Sequence, residues 1–183
     1  MGVAGTAVTG DVVLLYDTDH TNASSVSITS GITSTYGEYI FRFYNINAAT
    51  DEANFQFQMG DSYNTAVTSC YISWFHSEAD SYSGNIQTFG NQDQAQGTAF
   101  QIIIDRLGNG SDECGVAELH IFNPSSTTYA KQFYTTHSNL LNDDSNYAGF
   151  VSGYFNTTTA LTQIQFKMDS GNFDGTIKMW GVK

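Results

Sequence analysis

The chain predicts an all-β fold, a jelly-roll-like antiparallel β-sandwich with little or no helix, and three observations predict it. Apolar and polar residues alternate with a period of two: Phe55, Phe57 and Met59 interleave with Asn54, Gln56 and Gln58, and Ile164, Phe166 and Met168 with Gln163, Gln165 and Lys167. That spacing gives a strand one dry and one wet face, as antiparallel sheets packed face to face require. About eleven such segments follow one another at short intervals, the spacing of sandwiches and barrels. No segment places apolar residues at helical spacing between helix caps.

Residues 12–16 and 24–29 read as strands separated by a polar turn over 17–22. Residues 39–46 carry Tyr39, Phe41 and Phe43 on one side and Ile40, Tyr44 and Ile46 on the other, so this strand is central in its sheet or buried on both faces. Strands at 53–59 and 69–75 follow at hairpin spacing. The polar stretch 77–96 is too long for a tight turn, and loops of that length carry function or contacts of their own. Residues 100–104 resume the sheet, 107–112 turn it, and 116–122 form a strand ended by Asn123 and Pro124, the only proline. Strands at 129–135, 148–155, 161–168 and 176–182 complete the set, the glycine-bounded run 171–175 turning the last pair. Without a repeat or composition break, residues 12–183 read as one domain behind an N-terminal arm, 1–11.

Composition narrows the partners. Hydrophobic residues make up 40%, with 13 Phe and 11 Tyr, so aromatic rings on pleated surfaces can close a core in a polar-looking chain. Six basic residues stand against eighteen acidic ones, net −12, and the basic residues are scattered. Nucleic acid and anionic membranes both demand clustered Lys and Arg, so neither is an expected partner. The start of the chain lacks the charged and apolar regions of a signal peptide, and no apolar run is long enough to span a bilayer. Met1-Gly2 through Thr6 fits an N-myristoylation pattern, but no basic patch follows as a second anchor, so the segment reads as a flexible lead-in. Cys70 and Cys114 have no metal or redox spacing and read as free buried thiols.

Catalytic chemistry is not signalled. His20, His76, His120 and His137 share no paired metal-ligand spacing, and His120 alternates with Glu118 and Phe122 as a plain strand histidine. There is no nucleophile elbow and no phosphate-binding glycine loop. Asp112-Glu113 and Asp143-Asp144 are neighbouring carboxylates in turns, and an acidic chain produces such pairs by chance. Asp17 with Asp19, and Asp169 with Asn172 and Asp174, offer hard oxygens for calcium without matching its loop signature. The expected catalytic, metal and cofactor residues are therefore none. Tyr63, Tyr82, Phe89 and Tyr147 lie among Asn, Ser and Gly and are the candidate interface or glycan contacts.

Several runs carry a resemblance: Ser30-Gly-Ile32, Ser34-Thr-Tyr36, Ala49-Thr-Asp51, the segment from Asn123 to Tyr129, Gly153-Tyr-Phe-Asn-Thr-Thr158, Ile164 to Met168, Ser170-Gly-Asn172 and Gly175 to Gly181. In that order they resemble a family of small, mostly uncharacterised proteins encoded by aquatic tailed phages, including those of cyanobacteria. The likeness runs from about Val12 to the end; Met179-Trp180 stands where the family usually has Leu-Tyr before the last glycine. The resemblance implies a non-enzymatic virion protein, first of all a capsid decoration or cement subunit, made in the bacterial cytoplasm and carried on the particle. Alternatives are a tail or fibre component, or a carbohydrate-binding module for host-surface glycans. A depolymerase, with two carboxylates converging in a cleft, ranks behind these. The implied partners are the protein itself, as a homotrimer, and other virion proteins such as the major capsid protein. The arm and the stretch 77–96 are the candidate contacts.

Overall fold

Strands and turns build the protein, and the described residues contain no helix, hence none long and apolar enough to cross a membrane. The structure is a computed structural model and describes every residue except 1–10, 82, 83, 85 and 89. Thirteen strands run through it: β1 (Val12–Ala23), β2 (Val26–Ile28), β3 (Glu38–Ala48), β4 (Ala53–Met59), β5 (Val67–Ser77), β6 (Gln87–Thr88), β7 (Gln94–Gly97), β8 (Gln101–Leu107), β9 (Gly115–Phe122), β10 (Lys131–Leu140), β11 (Ser145–Phe155), β12 (Ile164–Met168) and β13 (Phe173–Val182). All eleven expected strands are present. β6 and β7 are additions, and they fold the polar stretch 77–96 back onto β5.

Two antiparallel sheets hold these strands. The small sheet has the order β2-β12-β4-β8, and the large one β1-β13-β3-β9-β10-β11-β5-β6, with β7 also pairing β5. Taken in chain order, β1, β2, β3, β4, β8, β9, β12 and β13 are the first to eighth strands of a double Greek key, split between sheets as 1-8-3-6 and 2-7-4-5. That is the jelly roll. Two insertions, β5 to β7 and β10 to β11, enlarge one sheet only. The large sheet therefore outgrows its partner.

Phenylalanines join the layers. From β3, Phe43 meets Phe55 of β4 and Phe166 of β12 edge-on, with ring centres 5.2 and 5.1 Å apart. Phe41 meets Phe166 at 5.4 Å, and Phe55 meets Phe173 of β13 at 5.1 Å. Where the enlarged sheet begins, Phe57 takes Phe133 of β10 and Phe155 of β11. Edge-to-face rings of this kind add ~0.5–1.5 kcal/mol per pair beyond the area they bury.

Some boundaries differ from the sequence expectation. The expected turn over 17–22 is strand, because Asp17 and Asp19 alternate outward and bond Lys178 and Thr176 of β13. The last hairpin turns at Gly171, with φ +72°, and β13 already starts at Phe173. Gly175 lies inside that strand at φ +141°, at the register shift against β3, where a Cβ would stand 2.6 Å from Ile46 Cδ1. Strand β3 is central in its sheet, but Arg42 and Tyr44 are exposed, so only one face is buried. The N-terminal arm lies outside the described residues apart from Asp11.

At the outer edge of the large sheet, β1 pairs with β13 alone among the described strands. The pairing slips twice, between Leu14 and Tyr16 and between His20 and Ala23.

Phe166 touches both layers through three other phenylalanines, Phe41, Phe43 and Phe55. Phe166→Ala should lower the free energy of unfolding by ~3–5 kcal/mol in a urea titration; a loss under 1 kcal/mol would mean the rings do not hold the sheets together.

Candidate interaction face

The inner face of the large sheet is used up by the core, so its outer face is the surface available for work. Register fixes what stands beside what. One row runs Leu14, Trp180, Ile40, His120, Tyr134, Ser152, Cys70 from β1 to β5. The next runs Asp17, Lys178, Arg42, Glu118, Thr136, Phe150, Ile72. Flanking them are Val116, Ser138, Ala148 and Trp74 on one side and Glu38 with Phe122 on the other. Leu14, Val116 and Trp74 are 49%, 44% and 42% exposed. Strand pairing thus gathers, from residues spread over the whole chain, an aromatic and aliphatic surface seven strands wide.

Charged groups are set into that surface and mostly neutralise one another. His120 bridges two glutamates, with Nδ1 2.5 Å from Glu38 Oε1 and Nε2 2.6 Å from Glu118 Oε1. Arg42 Nε donates to the other oxygen of Glu118. Burial alone would raise the Glu118 carboxyl, but the bonds from His120 and Arg42 and their charges outweigh it and hold it below its ordinary value. The same bond to Glu118 raises Arg42. Arg42 also lies over the Trp180 ring at 5.5 Å, and Lys178 reaches Asp17 at 3.0 Å and the Tyr44 ring at 5.9 Å. Tyr134 stacks on His120 with centroids 4.5 Å apart, and Phe122 and Phe150 flank it. A depression of about 490 Å³ opens among Arg42, Tyr44, Val116, Glu118, Thr136 and Ser138.

A second cluster of titratable groups is sealed inside, beneath β10, β11 and β5. These strands extend past the small sheet, whose last strand, β8, packs against β10 and β11 and closes the space with polar groups. His137 Nε2 lies 3.1 Å from the Tyr71 hydroxyl, and its Nδ1 lies 3.0 Å from Asn139 Oδ1. Asn139 in turn donates to the Asp105 carbonyl at 3.0 Å. Burial pushes His137 down to about 4, only partly countered by Asn139. Asp105 is raised, first by burial, against the bond from Gln92 and the charge of Arg106. Its Oδ1 accepts from Gln92 at 3.0 Å, and its Oδ2 lies 3.7 Å from Arg106 Nε. The two ionisable groups are 6% and 1% exposed, so the network is internal scaffolding. Gly149 makes room for it: a Cβ there would sit 2.3 Å from His137 Nε2 and 2.8 Å from the Tyr71 hydroxyl.

The four aromatic contacts expected from sequence fare differently. Tyr147 is a correction. It is 0% exposed, because β11 begins at Ser145 and puts it on the inward side with Val151 and Phe155. Its hydroxyl lies 2.7 Å from Ser73 Oγ, and the Arg106 guanidinium covers its ring at 4.7 Å. Tyr63 is half-buried in the turn after β4, at φ +49°. Tyr82 and Phe89 lie outside the described residues. Sequence reasoning missed Trp180, Tyr134, Phe150 and Trp74 as surface groups, although each shares the parity of an outward polar or charged neighbour such as Lys178 or Thr136.

The remaining candidates serve strand pairing or hold a turn. His120, Glu118 and Phe122 share one face, as expected. Asp169 accepts from the backbone and side chain of Asn54, Asp174 from the backbone of Asn22, and Glu113 from the backbone of Gly110. Among the described residues no three His, Cys, Asp or Glu side chains converge as a metal site. Both cysteines are free, but Cys70 is exposed and Cys114 half-exposed, because Cys70 falls on the outward parity of β5. No family model matches the chain, and neither a curated protein nor a solved structure matches it.

Because His137 is held low, folding opposes its protonation. The stabilisation from keeping it neutral is complete above pH 6.5 and is lost as pH falls towards 4. Asp105, held high, acts with the opposite sign, since protonating it removes a burial cost. Comparing the protein with His137→Gln isolates the histidine: between pH 6.5 and 4 the parent should lose ~3 kcal/mol more than the variant in denaturant titrations. Parallel pH profiles would contradict a buried neutral imidazole. Gly149→Ala, which crowds the same ring, should cost ~1–3 kcal/mol at neutral pH by the same measurement.

Proposed function

We propose that this chain is a non-enzymatic structural subunit of a phage virion, foremost a decoration or cement subunit on the capsid, that works through the outer face of its large sheet. One observation carries the reading: an aromatic and aliphatic surface seven strands wide, with its charges paired, on a chain of net −12. Exposed apolar side chains gathered on one face, here Leu14, Tyr44, Val116 and Trp74 beside half-buried rings, mark an interaction site on soluble proteins. Aromatic residues and arginine are enriched at protein interfaces, and this face carries both. The jelly roll is an architecture of viral shells and of lectins alike, so the fold supports this reading without deciding it. The likeness to aquatic tailed-phage proteins supplies the virion context, and a tail or fibre position would use the same face. The partners are further copies of the chain and other virion proteins such as the major capsid protein.

A second reading, glycan binding, draws on the depression beside Tyr44, where an aromatic ring and Val116 adjoin Arg42, Glu118, Thr136 and Ser138. Sugar recognition uses such a mixture of ring and hydrogen-bonding groups.

Particle binding distinguishes them. Purified chain mixed with phage particles that lack it should co-sediment with heads at saturable stoichiometry, and Val116→Asp or Trp180→Ala should lower the occupancy at least ~10-fold. Co-sedimentation with tails alone would move the subunit to the tail. Saturable binding to a glycan array, with none to particles, would replace this reading with the second.

A further inference from the structure

We infer that the outer face of the large sheet pairs with the same face of a second copy about a two-fold axis parallel to the strands, between β3 and β9. The inference rests on the structural-subunit reading only in needing the face to be an interface. A face-to-face pair related by two-fold symmetry has its axis in the plane of contact, so each residue meets the one at the mirrored position across that axis. An axis along the row of Arg42 puts each charge opposite itself, and one between β13 and β3 sets Lys178 against Arg42. Between β3 and β9 the outcome changes, because Arg42 and Glu118 are register partners there.

The mirrored positions are complementary at Arg42 and Glu118 and apolar or aromatic around them, while Glu38 meets the partner's Phe122 and Asp17 the partner's Phe150. Arg42 meets the partner's Glu118, and Glu118 meets the partner's Arg42. Ile40 meets the partner's His120, and Trp180 of β13 meets the partner's Tyr134 on β10, since the row order is Trp180, Ile40, His120, Tyr134. Tyr44 meets the partner's Val116, so its ring falls on the depression those residues line. The axis sets β1, β13 and β3 against the partner's β11, β10 and β9, and β5 lies beyond the overlap.

Size and charge agree with this occupant. Six overlapping strands spaced ~4.8 Å apart and four outward positions along each give about 25 by 20 Å in projection, and side-chain relief brings this towards the ~800 Å² that each partner contributes to a standard stable interface. A chain of net −12 repels its own copies, and association requires a region where the charge is locally balanced. Two of its six basic residues, Arg42 and Lys178, stand on this face, paired with Glu118 and Asp17. The pairing is two-fold, in place of the trimer expected from sequence.

Mass measurement by light scattering and sedimentation tests it on the full chain. The parent should run at twice the 20.0 kDa chain mass at micromolar concentration. Arg42→Glu alone, or Glu118→Arg alone, puts like charges across the axis and should raise the dimer dissociation constant at least ~10-fold. Mixing the two variants should restore the dimer, because two carboxylates then face two guanidiniums across the axis while each chain still carries like charges side by side. That rescue cannot come from an intramolecular bridge. Both side chains are partly exposed, at 50% and 32%, so the fold should tolerate the changes; should either unfold, Val116→Asp reads the same contact. A monomeric parent, a parent at three times the chain mass, or variants that fail to rescue each other would overturn the two-fold pairing. Particle binding by a monomeric parent would do so while leaving the structural-subunit reading in place.

Discussion

Thirteen strands divide unequally between the layers, and that inequality is the constraint on which the rest of the structure depends. A four-stranded sheet covers β1, β13, β3 and β9 as any jelly roll does, and phenylalanines lock that half. The strands added beyond β9 have no full layer beneath them. Beyond the apolar cluster of Val67, Phe133, Val151 and Phe155, their inward residues are closed by the flank of β8 and by Gln92 and Gln94, so the interior there is hydrogen-bonded rather than oily. Tyr71, Tyr147, His137 and Asn139 accordingly occupy inward positions where phenylalanine serves elsewhere. A buried polar group without a partner costs more than a hydrogen bond returns, and most polar atoms here are accordingly paired, Gln92 Oε1 and Gln94 Oε1 being exceptions.

The same enlargement turns the usual distribution of side chains over. On β10 the inward positions hold Lys131, Thr135, His137 and Asn139 beside Phe133, while Tyr134 points outward. Lys131 is tolerated inside because its ammonium donates to the carbonyls of Tyr129 and Thr157. On the outer face, the Glu38, His120, Glu118 and Arg42 chain holds ring-bearing side chains in fixed positions, Tyr134 against His120 and Trp180 against Arg42. Surface rings that are already ordered lose little freedom on contact, which favours association.

Alternation made the strands legible in the sequence, since runs such as Asn54 to Met59 have only one sensible reading. What stayed hidden has physical causes. The 17–22 segment is polar throughout because an edge strand with both faces wet needs no apolar residues, so composition mimics a turn. Tyr147 was misplaced because two residues of strand preceding it, Ser145 and Asn146, are themselves turn-like in type. β6 is too short for any period to register. The outer face could not be read at all as a unit: Leu14, Trp180, Ile40, His120 and Tyr134 become neighbours only through register, which local alternation does not encode. The charged members were visible individually, yet nothing in their spacing along the chain tells that Arg42 and Glu118 share a bond.

The two slips in β1, with Asp17 and Asp19 between them, govern how the molecule can grow. An unbroken strand margin would recruit backbone after backbone into an open-ended ribbon, and native sheets blunt such margins with irregularities and charge. Here the β1 margin is blunted, so the two-fold pairing proposed for the outer face would close on itself, and crowding many copies onto a scaffold would give counted clusters in place of fibrils.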